Sequence, residues 1–388
     1  MPVTNIRTDQ FHKIHKKTSD LARAAAFKTL ESIFTNKLPL DRSLNLAINS
    51  LDSYQDKKFH RQLVMTTLRH SGELDLLLKA FVQKPLKGHA LRVLNILRLG
   101  MVQLLYLRIP SYAAVSSSVT LARTVGVSGH AAMVNAILRR CMKEANIILK
   151  GHGKPALNIP KWLMRSWEIS YGPIIARKIA TSSLQEPALD LSIKSNTNSW
   201  ANTLGGKILR TGSIRIHGNK RIDTLPGYSD GAWWVQDAAS SLPVHLFSCV
   251  RDKRIADICA APGGKTAQLA SMGASVLSID ISETRIKLLE ENMRRLKFTV
   301  NIIKADATKW QPNEKFDAIL LDAPCTATGT LRRNPDIKFF KSPTDVMNLA
   351  KVQLRMLENT INFLKPGGEL IYCTCSLQPE EGRLLINK

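Results

Sequence analysis

From Arg251 to Cys373 the chain alternates short apolar runs with helical stretches, and this alternation limits the possible folds more than any other feature. Five runs read as strands: 254–258 (RIADI), 274–280 (ASVLSID), 300–306 (VNIIKAD), 317–322 (DAILLD) and 368–373 (GELIYC). A turn (APGGK) and a short helix (TAQLASMG) separate the first two. The longest predicted helix runs from about Thr344 to Leu364 and stops at Lys365-Pro366-Gly367-Gly368, a helix-ending combination. Repeated βα units of this length imply a parallel, doubly wound sheet, with ligands at the carboxyl ends of its strands.

The first part of the chain has a different texture. From Asp20 to Lys143 apolar residues recur at three- and four-residue spacing, as in ARAAAFKTLESIF, LRVLNILRLGMVQLLYL and AAMVNAILRRCM. Breakers stand between them at Pro39, Pro85 and Pro110, with Gly126 and Gly129 later. The reading is an all-α bundle of six or seven helices over residues 20–147, preceded by a basic arm at 1–19. Arg61, Arg69, Arg98, Arg108, Arg139 and Arg140 are expected on its polar faces. A Gly/Pro-rich linker follows at 148–160. Residues 161–244 read as a small α/β module, with a short helix in WLMRSWEISYG and strands in LDLSIKS and KILRTGSIRI. The doubly wound domain fills 245–388.

Charge narrows the partner. Fifty-five Lys and Arg stand against 31 Asp and Glu, a net +24 in 388 residues. Residues 1–150 hold 23 basic and 9 acidic side chains, so +14 of that charge lies there. Such a field recruits polyanions, with nucleic acid as the expected partner; a merely solvated basic surface is the competing account. No apolar run reaches the ~18–20 residues of a membrane span, and the first twenty residues lack the apolar core of a secretory signal. No membrane association is expected. Six cysteines in so long a chain do not form a disulfide framework; reduced thiols in the cytoplasm fit better.

Three strand ends carry the chemistry. The first is Asp257-Ile258-Cys259-Ala260-Ala261-Pro262-Gly263-Gly264-Lys265-Thr266, between a strand and a helix. Its glycines let backbone approach a ligand, and the helix start offers unpaired N–H groups. A plain βα turn would read the same locally. The next strand ends in Asp280, where an acidic residue commonly accepts from ribose hydroxyls, so turn and carboxylate together imply a nucleoside-containing cofactor. Asp306, closing the third strand, would lie beside the adenine, although alone it fits a helix cap equally well.

The other two ends are Asp322-Ala323-Pro324-Cys325 and Tyr372-Cys373-Thr374-Cys375. Cys325 and Cys375 therefore converge on the cofactor rim. Zinc is not expected, since Cys-x-Cys with one distant Cys and no nearby His is a poor ligand spacing, and no metal is assigned. Buried inert thiols are the default for either cysteine alone; two beside Asp322 favour nucleophilic chemistry. Cytosine needs such a set. Its carbon 5 accepts a methyl group only after a thiolate has added to carbon 6, and a base must then take the carbon 5 proton. A carboxyl group near ring nitrogen 3 assists the addition.

DICAAPGGKTAQLA, LLDAPCTATGTLRRNPDIK, CTCSLQPEEG and VQDAASSLP resemble the motifs of the RNA cytosine-5 methyltransferase family. The helical domain, through DKKFHRQLVMTTLRHSGELDLLL, ILRLGMVQLLYLRIPSYAAV and VNAILRR, is similar to the NusB antitermination factor. The two together resemble the bacterial small-subunit rRNA methyltransferases over nearly the whole chain. The resemblance implies S-adenosyl-L-methionine as cofactor, small-subunit (16S) rRNA as substrate, a monomer, and methylation at cytosine carbon 5. It implies Cys375 as nucleophile, Cys325 as the residue assisting release and Asp322 as a catalytic and binding carboxylate. Cys259, Ala260, Ala261, Pro262, Gly263, Gly264, Lys265, Asp280, Asp306 and Asp322 would contact cofactor or base. Cys373 receives no role.

The chain departs from that pattern twice. Thr326-Ala327-Thr328-Gly329 stands where Ser-Gly-Thr-Gly is usual, which removes a glycine from the loop. The family also continues with two further strands past the position of Lys388, so the sheet is expected to end early with a bare edge. Two rivals follow. One is an inactive methyltransferase-fold RNA-binding or antitermination-like factor; the other methylates an exocyclic amine, a chemistry that favours Asn/Asp-Pro-Pro-aromatic over the Asp322-Ala323-Pro324-Cys325 found here.

Overall fold

The computed structural model describes residues 6–150, 154–218 and 221–387, with backbone alone for 6–19 and Lys154. Of the arm read at 1–19, the first five residues and the remaining side chains thus lie outside the described residues. The chain divides into two compact units, one of residues 1–185 with 330–340, the other of 186–329 with 341–388.

The first unit is helical: α1 (Ile6–Phe34), α2 (Leu40–Ile48), α3 (Tyr54–Arg69), α4 (Ser71–Phe81), α5 (Arg92–Leu105), α6 (Ser111–Thr124), α7 (Ala131–Lys150), α8 (Lys154–Leu157) and α9 (Lys161–Ser183). Pro39 and Pro110 stand immediately before α2 and α6, where a missing N–H costs nothing. Ser53 caps α3 by accepting from the Asp56 N–H at 3.0 Å. The periodic apolar faces meet in one core that includes Phe27, Leu30, Leu63, Leu68, Leu77, Ile96, Val134 and Leu138. Helix α9 extends well past the short segment read from sequence. Gly172 adopts φ 78°, and a second helical piece begins at Pro173, so the break is a kink and not an end.

In the second unit, β1 (Leu189–Ile193), α10 (Thr197–Leu204), β2 (Lys207–Ile208), β3 (Ile214–Ile216) and β4 (Trp233–Val235) form a small antiparallel sheet of order β2-β3-β1-β4. The fully buried Asp190 carboxylate is paired with Arg215 at 2.7 Å across β1 and β3. After α11 (Ala238–Ser241) come β5 (Arg254–Ile258), α12 (Gly264–Ser271), β6 (Ser275–Asp280), α13 (Glu283–Leu296), β7 (Asn301–Lys304) and β8 (Phe316–Asp322). The chain then enters the helical unit with α14 (Ile337–Phe340) and returns as α15 (Pro343–Thr360), β9 (Leu364–Cys373) and α16 (Arg383–Ile386). The sheet is wholly parallel, of order β7-β6-β5-β8-β9. Strand order reverses between β5 and β8, so their carboxyl ends form the ligand-binding crevice of a doubly wound sheet. On the described residues β9 pairs with β8 alone and none of its residues is buried, whereas five of the seven in β8 are. The sheet is open at this edge.

The excursion at 330–340 was not expected from sequence. Within the helical unit, Asp336 accepts from the Leu40 N–H at 3.0 Å, and Arg69 donates to the Arg332 carbonyl at 3.0 and 3.1 Å. Arg69 is thus buried, not on a polar face. Lys338 donates to the Arg69 and Asn158 carbonyls at 3.2 and 2.9 Å, and burial depresses its ammonium to about 7. Phe339 meets the Phe34 ring edge-on at 5.1 Å. Helix α15 ends earlier than read, because Leu364 already pairs with Phe316 ahead of a bulge in β9. Among the described residues no helix is long and apolar enough to cross a membrane.

Candidate active site

The loop after β5 turns sharply. Cys259 has φ 63° and Gly263 φ 102°; a Cβ on Gly263 would come within 2.4 Å of Leu289 Cδ1, so only glycine fits there. Asp257, fully buried under this loop, accepts from Thr266 Oγ1 at 2.5 Å, and burial pushes its carboxyl up to about 7. Its other oxygen has no partner among the described residues. Cys259 is also pushed up, to about 12, by burial and by the neighbouring Asp280, so it stays a thiol.

Asp280, at the end of β6, accepts from the Ala261 N–H at 3.2 Å and the Ser282 N–H at 3.0 Å. These bonds pin the carboxylate beside the loop. Asp306 caps its own turn through Oδ1, which accepts from the Thr308 N–H at 2.9 Å and hydroxyl at 2.7 Å, and these bonds hold its carboxyl below the usual range. Asp306 thus caps a turn and not a helix, and it also lines the cavity wall, where no hydrogen bond to its Oδ2 is found among the described residues.

At the end of β8, Asp322 accepts from Lys265 Nζ at 2.7 Å and lies 3.6 Å from the Cys373 sulfur. Burial alone would lower the Lys265 pKa, but Asp322 and its other neighbours raise it, so the ammonium persists. Burial and Asp322 push the Cys373 thiol up, which leaves it inert.

Cys325 and Cys375 stand at the ends of adjacent parallel strands with their sulfurs 3.4 Å apart. They are unlike. The hydrogen bond to Cys375, and then burial, raise the Cys325 pKa; the same hydrogen bond lowers that of Cys375, which is also the more exposed. The pair is therefore uneven, with Cys375 the thiol that ionises more easily.

A buried brace fixes the Cys325 loop. Glu381, fully buried, accepts from the Thr326 N–H at 2.8 Å, the Thr326 hydroxyl and the Gln353 amide at 3.1 Å, while Gln353 also donates to the Pro324 carbonyl at 2.9 Å. Thr326 and Thr328 each meet the Ser376 hydroxyl at 3.1 Å, tying the two cysteine loops together. Gly329 approaches Cys375 so closely that a Cβ would lie 2.8 Å from its carbonyl oxygen. Ala327, where a glycine is usual, sits at φ 55°. The backbone has kept the left-handed turn although the residue best suited to it is gone.

Two cavities result. One, of about 350 Å³, is lined by Cys259, Asp280, Asp306, Asp322, Cys325 and Cys375 among others. The second, of about 650 Å³, is lined by Ala260, Ala261, Pro262, Gly263, Gly264 and Lys265 with Gln236, Asn292 and Arg295. Asp322 lines both. Every site residue read from sequence thus borders one cavity or the other. The sequence reading missed Asp257, Gln353, Thr326, Thr328, Ser376 and Glu381 as contributors; Glu381 lies inside a motif already singled out, CTCSLQPEEG. Three aspartates against the single cation Arg285 make the smaller cavity acidic, which suits a positively charged nucleoside derivative. Among the described residues no group of three or more His, Cys, Asp or Glu side chains is placed to hold a metal.

Comparison with known proteins adds a separate line. Residues 244–388 match the family profile described as 16S rRNA methyltransferase RsmB/F, and residues 20–143 match that of the NusB family. The Ribosomal RNA small subunit methyltransferase B of Vibrio cholerae is 33% identical over 94% of this chain and 88% of its own. Its counterpart in Proteus mirabilis is 31% identical over 94% and 90%. The crystal structure of PH0851 superposes with a TM-score of 0.74 over 95% of this chain and 88% of that one, at 20% identity, which speaks for the fold alone.

Proposed function

The chain belongs to the RsmB/F family of 16S rRNA methyltransferases, and on that premise we propose how its own residues carry a methyl group to carbon 5 of a cytosine in small-subunit rRNA. The observation that carries this reading is the pair of unlike thiols, 3.4 Å apart, in a cavity walled by Asp280, Asp306 and Asp322. S-adenosyl-L-methionine supplies the methyl group when bound. Asp280 would hold its ribose and Asp306 its adenine edge, against the backbone of Cys259 to Gly264, with Lys265 placed at Asp322. The acidic lining, the open Oδ2 of Asp306 and the glycine-only turn at Gly263 support that fit.

Cys375 is the nucleophile. Its sulfur forms a bond to carbon 6 of the cytosine, and the ring electrons move to carbon 5, which becomes nucleophilic enough to take the methyl group. Asp322, held as a carboxylate by Lys265, would accept from the exocyclic amine and from ring nitrogen 3 once that nitrogen has taken a proton from solvent, which stabilises the protonated ring through the addition. A base from solvent then takes the carbon 5 proton, the carbon 5–carbon 6 double bond re-forms, and the carbon–sulfur bond breaks with its electron pair returning to the Cys375 sulfur. Cys325 assists that release. The pKa directions of the two thiols support this division, since the more easily ionised sulfur is the better nucleophile.

The test is direct. The full chain, incubated with 16S rRNA and cofactor labelled in its methyl group, should yield labelled 5-methylcytidine after nuclease digestion and mass spectrometry. Label on an exocyclic amine contradicts the reading. RNA binding without any label would mark the chain as a binding protein.

A further inference from the structure

The helical unit carries a groove that the chemistry above does not use. Helices α6 and α7 enclose a cavity of about 660 Å³ lined by Ser111, Tyr112, Ser116, Thr120, Arg123, Asn135, Arg139 and Met142 over a floor of Val115, Val119 and Ala131. No acidic side chain lines it. Between Tyr106 and Lys150 the sequence holds six Lys and Arg and a single acid, Glu144, which is already paired with Arg140 at 2.9 Å. The Arg123 side chain is exposed and makes no ion pair or hydrogen bond among the described residues. Arg139 is also exposed, and among the described residues its guanidinium makes no ion pair and donates to the neutral Asn135 at 3.2 Å.

Tyr112 is the second unusual feature. At 79% exposure it is the most exposed large apolar side chain among the described residues, and it lines a groove together with the buried Val115. An aromatic ring left open to water beside unpaired guanidiniums has no structural purpose in the bundle, since removing it would leave no cavity. Hydroxyls of Ser116 and Thr120 line the same wall and offer both donors and acceptors.

We propose that the α6–α7 groove binds a single-stranded segment of the rRNA substrate, with a base stacked on Tyr112 and phosphates on Arg123 and Arg139. Single-stranded RNA combines a π-face with a regular negative charge, which matches a ring flanked by two free cations. With Arg123 and Arg139 as the cations of its lining, the groove lacks the two rows of positive charge that the phosphate rails of a duplex would need. An acidic peptide would be served by the arginines but would leave the ring unused. The inference deepens the assignment of rRNA as substrate, so its test must fail separately from that assignment.

The experiment uses the full chain and an unstructured rRNA fragment, with affinity read by fluorescence anisotropy across a salt series. Tyr112→Ala should weaken binding roughly 5- to 100-fold, the fold-change expected for loss of one base–aromatic stack. Tyr112→Phe should restore most of it. Arg123→Ala with Arg139→Ala should flatten the slope of log affinity against log salt by about 1.4, two phosphates at ~0.7 each. Methyl transfer at saturating RNA should be unchanged in all three, because none of these residues belongs to the catalytic site. If the wild type binds and methylates RNA while these variants bind as tightly and with the same salt slope, the groove is not an RNA site and the proposal is overturned, including in favour of an acidic peptide. If the wild type methylates no RNA yet binds it in a Tyr112-dependent way, the groove stands and the enzymatic assignment falls. If the wild type binds no RNA at low salt, both fall.

Discussion

Cys325 and Cys375 share a sheet, a cavity and a hydrogen bond, yet their surroundings differ. Cys325 lies three residues beyond β8, a strand with five buried residues, and its loop is bolted down by Glu381 and Gln353. Cys375 follows β9, the open edge, and is itself exposed. The hydrogen bond between the sulfurs, and then burial, raise the pKa of the first; the same hydrogen bond lowers that of the second. The lesson is that two identical side chains acquire different chemistry from the strands that carry them. The proposed division into attack and release follows that difference.

The largest expected effect breaks the symmetry outright. Cys375→Ala should lose methyl transfer on the order of 10⁴-fold or more, as when a covalent nucleophile is removed. Affinity for cofactor should be unchanged by calorimetry, since Asp280 and Asp306 are intact.

Asp280→Ala is the converse, touching neither thiol. Hydrogen bonds to a charged group contribute about 1.5–3 kcal/mol, so cofactor affinity should fall about 10- to 150-fold while RNA affinity holds. Unchanged cofactor affinity in calorimetry would take Asp280 out of the site.

The brace tests the Cys325 side. Glu381→Ala strands the Thr326 N–H in a buried setting, at about 1–3 kcal/mol for an unsatisfied group, and takes one of the two acceptors of the Gln353 amide. The melting temperature should drop, and turnover should fall with little change in cofactor affinity. A variant that melts and turns over like the wild type would show that the loop needs no brace.

Titration of the thiols gives a smaller effect. Iodoacetamide attacks thiolate, so the rate at Cys375 should rise with pH around a midpoint below the ordinary 9.0. Replacing Cys325 with Ala removes the donor, and the midpoint should move up towards 9.0. A midpoint that does not move would mean the two sulfurs are not coupled.

The smallest effect is at Ala327. A left-handed backbone costs a non-glycine residue roughly 1–2 kcal/mol, and glycine returns about 0.5–1 kcal/mol of that in unfolded-state entropy. Ala327→Gly should therefore keep full activity and change stability by no more than about 1 kcal/mol, in the stabilising direction. A large loss would mean the methyl group itself is needed in the cavity it lines.

Much of this was legible before any coordinates. The βα alternation after Arg251 names a doubly wound sheet because period and turn chemistry are local properties, and the helical repeats before Lys143 name a bundle for the same reason. Strand ends then had to bring Cys325, Cys375 and Asp322 to one rim. What escaped was held by single long-range contacts. Asp336 on the Leu40 N–H and Lys338 on the Arg69 and Asn158 carbonyls leave no periodic trace, so the excursion of 330–340 into the helical unit was invisible. Arg69 looked like a surface cation because burial of a charged residue depends on partners far along the chain. Glu381 stood in a quoted motif without a role, since its three donors come from two other segments. From residues alone the two cysteines were interchangeable, and only the resemblance chose between them; the hydrogen bond between their sulfurs now supplies a physical reason.

The division of labour between the two thiols is decided by the covalent adduct. Each single variant and the double variant are incubated with 16S rRNA and cofactor, then run on a denaturing gel. Cys325→Ala should still attack and methylate once but release slowly, so a slow-migrating, nuclease-sensitive band of protein joined to RNA should accumulate. Cys375→Ala should show none, and the double variant should lose the band, because the adduct requires the Cys375 sulfur. A band that appears with Cys375→Ala and vanishes with Cys325→Ala would reverse the roles, and unaltered activity in both variants would refute covalent catalysis by this pair.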